Sequence, residues 1–159
     1  MPGRGREEKT PRRVAVFYAV LLFVFLADQL TKFFALQTLA GVDSVPVISG
    51  IFYFTLVHNT GVAFGFFRQH PQLLLGLISL SLCFLLVWGI RVPPQQKTQR
   101  FALALILGGA LGNWVDRLRY GAVIDFLDFR VWPVFNVADS AITVGVTLFA
   151  WHLLRQKKS

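Results

Sequence analysis

Four stretches of the chain are almost free of polar residues, and their lengths set the first expectation. Val14 to Ala27 is apolar or aromatic throughout; after the polar interruption Asp28-Gln29-Leu30-Thr31-Lys32 the pattern resumes as Phe33-Phe34-Ala35-Leu36. Leu73 to Ile90 runs 18 residues without a charge, bracketed by Pro71 and Pro93-Pro94, and that length meets the threshold for a helix crossing a bilayer. A third stretch is uncharged from Phe101 to Val115, meets Asp116-Arg117 and ends at Tyr120-Gly121. A fourth extends from Asn136 to Leu154 and carries only Asp139 and His152. The pattern predicts an α-helical membrane protein with four transmembrane helices over about 14–36, 72–90, 101–120 and 136–154, forming a single integral-membrane domain over residues 1–159.

The segment between the first two spans reads differently. Val45 to Val57 is rich in β-branched and aromatic residues around Ser49-Gly50, which predicts short strands joined by a turn. A turn-like His58-Asn59-Thr60-Gly61 follows, then Val62-Ala63-Phe64-Gly65-Phe66-Phe67. A small exported β-sheet over about 40–67, lying against the outer membrane surface, is the expectation.

Composition agrees. Hydrophobic residues make up 55% and charged residues 15% of the chain, where a soluble domain carries about a quarter charged; mean hydropathy is +0.58. The net charge of +8 would suggest nucleic acid if the basic residues formed one patch, but they sort by side of the membrane. Arg4, Arg6, Lys9, Arg12 and Arg13, then Arg91, Lys97 and Arg100, then Arg155, Lys157 and Lys158 flank the spans on one side, against Arg68 and Arg130 on the other. Lys and Arg in short flanking segments stay in the cytoplasm, so both termini are predicted cytoplasmic and no nucleic-acid partner is expected. A cleavable signal peptide at the N-terminus is disfavoured, because no small-residue cleavage site follows Ala27. The lone Cys83 sits in an apolar run and leaves no internal disulfide.

Ionisable groups inside spans are costly and point to function, and here their depths agree. Asp28 lies 15 residues past Arg13, Asp116 lies 15 past Phe101, and Asp139 lies 15 before Leu154. At 1.5 Å per residue each stands about 22 Å from the inner edge, near the outer face. Asp125, nine residues beyond Asp116, can fold back to that level. Paired carboxylates share a proton, which leaves one base to activate water and one acid to protonate what leaves. A Ser–His arrangement is poorly supplied, since His152 lies near the cytoplasmic end, and scattered His58, His70 and His152 make no metal motif. No metal and no cofactor are expected. Taken singly, each residue has a plain structural reading: an i,i+4 ion pair for Asp28 and Lys32, a salt bridge for Asp116 and Arg117, turn formation for Asn59 and Gly61, close helix packing for Gly108-Gly109-Ala110-Leu111-Gly112, helix capping for Asn136-Val137-Ala138-Asp139-Ser140, and a solvated loop charge for Asp125.

The blocks Asp28-Gln29-Leu30-Thr31-Lys32, Asn59-Thr60-Gly61-Val62-Ala63-Phe64-Gly65, Gly108 to Arg117, Val123-Ile124-Asp125-Phe126 and Phe135-Asn136-Val137-Ala138-Asp139-Ser140, in this order, resemble lipoprotein signal peptidase, the bacterial signal peptidase II family. Trp114 stands where an aliphatic residue is expected. The resemblance implies an intramembrane aspartyl endopeptidase, with four helices and an exported β-cradle, that cuts diacylglyceryl-modified prolipoproteins just before the lipidated cysteine. It implies Asp125 and Asp139 as the catalytic pair. Supporting and substrate-binding positions fall on Asp28, Lys32, Asn59, Gly61, Ala63, Phe64, Gly108, Asn113, Asp116, Arg117, Asn136 and Ala138. Phe64, Phe66 and Phe67 would clamp substrate and rest on headgroups. The partners implied are prolipoproteins and membrane lipids, the protein acting as a monomer in the bacterial cytoplasmic membrane with its site near the outer face. Two other classes stay open: a small ion- or proton-coupled transporter, which usually shows repeated halves with broken helices, and a packing subunit that needs its polar residues only for helix association.

Overall fold

The computed structural model describes residues 9–60 and 71–156. Gly61, Ala63, Phe64, Phe66 and Phe67, and with them the end of the expected exported segment, lie outside the described residues. Four helices form: α1 (Lys9–Thr38), α2 (Pro71–Arg91), α3 (Lys97–Tyr120) and α4 (Val137–Gln156). Each contains a stretch long and apolar enough to cross a membrane, the shortest being the 19 residues Val137–Arg155, which extend about 28 Å. The least apolar of the four, α3, is also the most enclosed: half of its most apolar 18-residue stretch is buried, against 6% of the corresponding stretch of α2. It is the helix around which the others assemble, and so the one that can hold polar groups away from lipid.

Glycines explain how α3 takes that place. A Cβ added to Gly108 would stand 2.7 Å from the Leu21 carbonyl of α1, one added to Gly109 would stand 2.5 Å from the Ala138 carbonyl of α4, and Gly145 of α4 returns the approach, 2.8 Å from the Ala102 carbonyl. Lipid offers helices no hydrophobic reason to associate, so such close backbone packing is what joins them. At the end of the bundle away from the sheet, Phe17, Val92, Leu103, Ala104 and Leu107 close an apolar core.

The segment between α1 and α2 forms the predicted hairpin, β1 (Val45–Ile48) and β2 (Phe52–Asn59), turning at Gly50 with φ of 79°. The sequence reading missed a third strand. β3 (Val123–Asp128) comes from the connection between α3 and α4 and pairs antiparallel with β2, Asn59 opposite Val123 and Val57 opposite Asp125. The cause lies at the end of α3, where Gly121 adopts the left-handed conformation (φ 68°) and donates its N–H to the Arg117 carbonyl, a C-cap that turns the chain back toward the helices. Asp125 is therefore not a solvated loop charge: it sits in the middle of a strand, 1% exposed.

Candidate active site

The start of α4 is a reciprocal cap. Asn136 Oδ1 accepts the Asp139 N–H at 2.8 Å, and Asp139 Oδ2 accepts the Asn136 N–H at 3.3 Å, satisfying donors that a helix start otherwise leaves orphaned. The capping reading of Asn136 to Ser140 is thus correct, and it locks the Asp139 side chain. The same Asn136 reaches across to β3: its Nδ2 donates to Asp125 Oδ1 at 2.6 Å, to Asn113 Oδ1 at 3.1 Å and to the Ile124 carbonyl at 3.3 Å. An amide has two hydrogens, so one of these is shared. Asn113 closes the link by donating to Asp139 Oδ1 at 2.8 Å, and Asn59 at the end of β2 donates to Asp125 Oδ2 at 2.8 Å.

Beneath these two aspartates lies a fully buried ionic group. Lys32 Nζ stands 2.7 Å from Asp28 Oδ2, 2.7 Å from Asp116 Oδ2 and 2.8 Å from Asn113 Oδ1, the full set of partners three ammonium hydrogens can serve. The i,i+4 pair of Asp28 and Lys32 is real. Asp116 pairs with Lys32 rather than with its neighbour Arg117, so the salt bridge joins α3 to α1. The second oxygen of Asp28 accepts the Ala138 N–H at 2.9 Å, while Asp116 Oδ2 also accepts the Ile124 N–H at 3.1 Å. Each of these carboxylates therefore grips the backbone of the residue just before one of the upper aspartates. Position and orientation of Asp125 and Asp139 are both built in, one through Lys32, the other through the asparagines.

Three further positions complete the arrangement. Gln29, which the sequence reading did not single out, donates to Asp116 Oδ1 at 2.9 Å and to the Gly112 carbonyl at 3.2 Å; an uncharged polar residue inside an apolar run was the available signal. Gly112 is obligatory, because a Cβ there would run into the Asp28 carboxylate. Arg117 donates to the Asn113 carbonyl at 3.1 Å, and its Nε is buried with no partner. Gly108 lies one turn inward at the α1–α3 contact, and Ala138 contributes its backbone N–H.

Electrostatics separate Asp125 from an ordinary carboxylate. Burial pushes it up to about 6; the Asn59 bond opposes that, the charge of Asp139 adds to it, and Asn136 and Lys32 oppose it. Asp125 therefore exchanges its proton close to neutrality, as a group in acid–base chemistry should.

A family model described as signal peptidase (SPase) II matches residues 20–155, a span containing every residue of this arrangement. The chain belongs to the signal peptidase II family. The lipoprotein signal peptidase of Moorella thermoacetica is 45% identical over 138 residues, 87% of this chain and 92% of that protein. That of Burkholderia mallei is 44% identical over 154 residues, 90% of each. Among solved structures, a bacterial membrane enzyme determined by the in meso method superposes with a TM-score of 0.81 at 30% identity, covering 91% of this chain and 90% of that one. As a signal peptidase II family member the chain is a peptidase, hence a hydrolase, and its four apolar helices make it a multi-pass inner-membrane protein.

Proposed function

We propose that the chain is an intramembrane aspartyl endopeptidase that removes the signal peptide from diacylglyceryl-modified prolipoproteins by cutting before the lipidated cysteine. Asp125 and Asp139 are its catalytic residues. The observation that carries this is their shared support: asparagines 113 and 136 hold both side chains, and Asp116 and Asp28 hold the N–H just before each.

Burial raises Asp125 to about 6, which suits it to the role of proton donor in the reaction. Asp139 then takes a proton from a water between the two while Asp125 donates to the scissile carbonyl oxygen. Water oxygen bonds to the carbonyl carbon, giving a tetrahedral diol. Return of a hydroxyl proton to Asp125 re-forms the carbonyl as the C–N bond breaks, and Asp139 passes its proton to the departing nitrogen, the new N-terminus of the lipidated cysteine. The distribution of Lys and Arg supports cytoplasmic termini and a site near the outer face, where the lipid chains stay in the bilayer while the scissile bond meets water.

The test is cleavage of a diacylglyceryl-modified prolipoprotein by purified protein in detergent with chelator present, for wild type, Asp125→Asn and Asp139→Asn. Wild type cuts before the lipidated cysteine, and each folded variant loses at least about a thousandfold in rate. Continued cutting by both variants would move the assignment to Asp28 or Asp116; failure of wild type to cut would remove the substrate assignment itself.

A further inference from the structure

On the side of β3 away from the catalytic pair lies a feature the mechanism does not use. A half-open cavity of about 210 Å³ is lined by Thr31, Phe34, Ala35, Thr38 and Leu39 of α1 with Phe54 and Phe126 of the sheet. Successive side chains of a strand point to opposite faces, so Phe126 turns toward this cavity because its neighbour Asp125 turns toward Asn136. The α1 residues fall at i, i+3, i+4, i+7 and i+8, one stripe of the helix, offset from the stripe that carries Asp28 and Lys32.

The lining is apolar although it includes two threonines. Thr31 Oγ1 donates to the Ala27 and Asp28 carbonyls at 2.8 and 2.9 Å, and Thr38 Oγ1 donates to the Phe34 carbonyl at 2.8 Å, so both hydroxyls are spent on their own helix. A cavity without polar partners does not hold water; smaller apolar cavities stay dry and take up hydrocarbon. One border reaches the helix surface: Phe34 is 55% exposed, beside Leu30 at 57% and Phe33 at 54%, on a helix long and apolar enough to cross the bilayer. A polypeptide helix, about 10 Å wide, is too thick for this space, whereas one hydrocarbon chain is not.

We propose that an acyl chain of a bilayer phospholipid occupies this cavity and backs β3, the strand that carries Asp125. The occupant comes from the bilayer and not from the substrate, because the strand separates the cavity from the pair that must meet the scissile bond.

The test uses a phosphatidylcholine with a diazirine midway along one acyl chain, mixed into phosphatidylethanolamine–phosphatidylglycerol vesicles holding the whole protein. After illumination, label is expected on Ala35 and Phe126, each 6% exposed and therefore out of reach of lipid that merely surrounds the helices; label on exposed Leu80 and Phe84 of α2 is the internal reference. Filling the cavity with Thr38→Phe, at an exposed helix position, or with Ala35→Leu should cut the label at position 35 and at Phe126 several-fold and leave the α2 label unchanged. Absence of label at Ala35 and Phe126 while α2 is labelled overturns the proposal. So does label that the two fillings do not reduce, or label that diacylglyceryl-cysteine displaces, which would give the cavity to the substrate's own chain. None of these readouts requires cleavage, so they stand or fall apart from the proposed function.

Discussion

Two polar clusters among the described residues are built from the same kinds of residue, and their surroundings make them different devices. Around Lys32, the side chains of Lys32, Asp28 and Asp116 are at most 3% exposed and every ammonium hydrogen has an acceptor within 2.8 Å. At the outer corner of the sheet, Arg130 is 45% exposed and stands 3.4 Å from Asp128; its guanidinium also reaches Ser44 Oγ and stacks 3.9 Å over Tyr53, and Thr55 donates to Asp128 at 2.8 Å. In the second cluster water can take the place of the half-exposed Arg130 beside the buried Asp128. In the first it cannot, so removing one member there leaves a bare charge in a medium that solvates it poorly. A cluster that cannot be partly dismantled suits the positioning of the two proposed catalytic groups; one with a half-exposed member suits the tying of a hairpin to a loop.

The largest effect expected is Lys32→Met. It matches the chain in shape but strands two buried carboxylates, and a loss of about 3–5 kcal/mol is expected, measured by unfolding in detergent together with loss of cleavage. Adding Asp28→Asn and Asp116→Asn should recover much of the stability, because the charges then go together, without restoring activity. If Lys32→Met unfolds like wild type, the inner cluster is no different in kind from the outer one.

Next in size is a contrast of sign with pH. Asp125 stands at about 6 in the folded protein against 3.8, so between those values the folded state holds a proton the unfolded chain has lost. Its contribution to stability therefore falls as pH rises from about 4 to 6 and is level above, a change on the order of 3 kcal/mol. Asp128 runs the other way: the Thr55 hydroxyl, then the Arg130 N–H, hold its carboxyl below its usual value, so its contribution is full above about pH 4 and lost as pH falls further. Unfolding of Asp125→Asn between about pH 4 and 6, and of Asp128→Asn below about pH 4, each subtracted from wild type, should give slopes of opposite sign in their own windows; slopes of the same sign would undo the contrast.

Gly112→Ala is a smaller intrusion on the inner cluster. Its methyl group meets Asp28, which cannot retreat without releasing Lys32 and the Ala138 N–H, and about 1–3 kcal/mol of destabilisation is expected with a fall in cleavage rate. A fully stable, fully active Gly112→Ala would show slack where the structure has none.

The same contrast explains what was legible in the sequence. The four spans follow from apolar runs, and the cap at Asn136 from four consecutive residues, because each is a local pattern. The shared depth of Asp28, Asp116 and Asp139 was readable since helix rise converts residue count to distance. β3 was not: Val123 to Asp128 is six residues with two carboxylates, and its partner β2 lies more than 60 residues earlier. Nor was the exchange of partners at Asp116, where the adjacent Arg117 invited a pairing that the helix geometry gives instead to Lys32. Pairings between distant segments carry no local signal, and it is such pairings that bring Asp125 to the site.

The smallest expected effect tests the outer cluster by itself. Arg130 holds a positive φ of 64°, which costs a side-chain-bearing residue about 1–2 kcal/mol, and its N–H donates to Asp128 Oδ1 at 2.8 Å. Arg130→Gly keeps that N–H and relieves the strain while losing a half-exposed ion pair of about 0–1 kcal/mol, so its stability should stay within about 1 kcal/mol of wild type. Arg130→Ala loses the pair and keeps the strain, and should be the less stable of the two. Both should cleave at the wild-type rate. A several-fold fall in rate for Arg130→Gly, with stability unchanged, would mean that the outer corner positions the site as well, and the separation of the two clusters into different devices would fail.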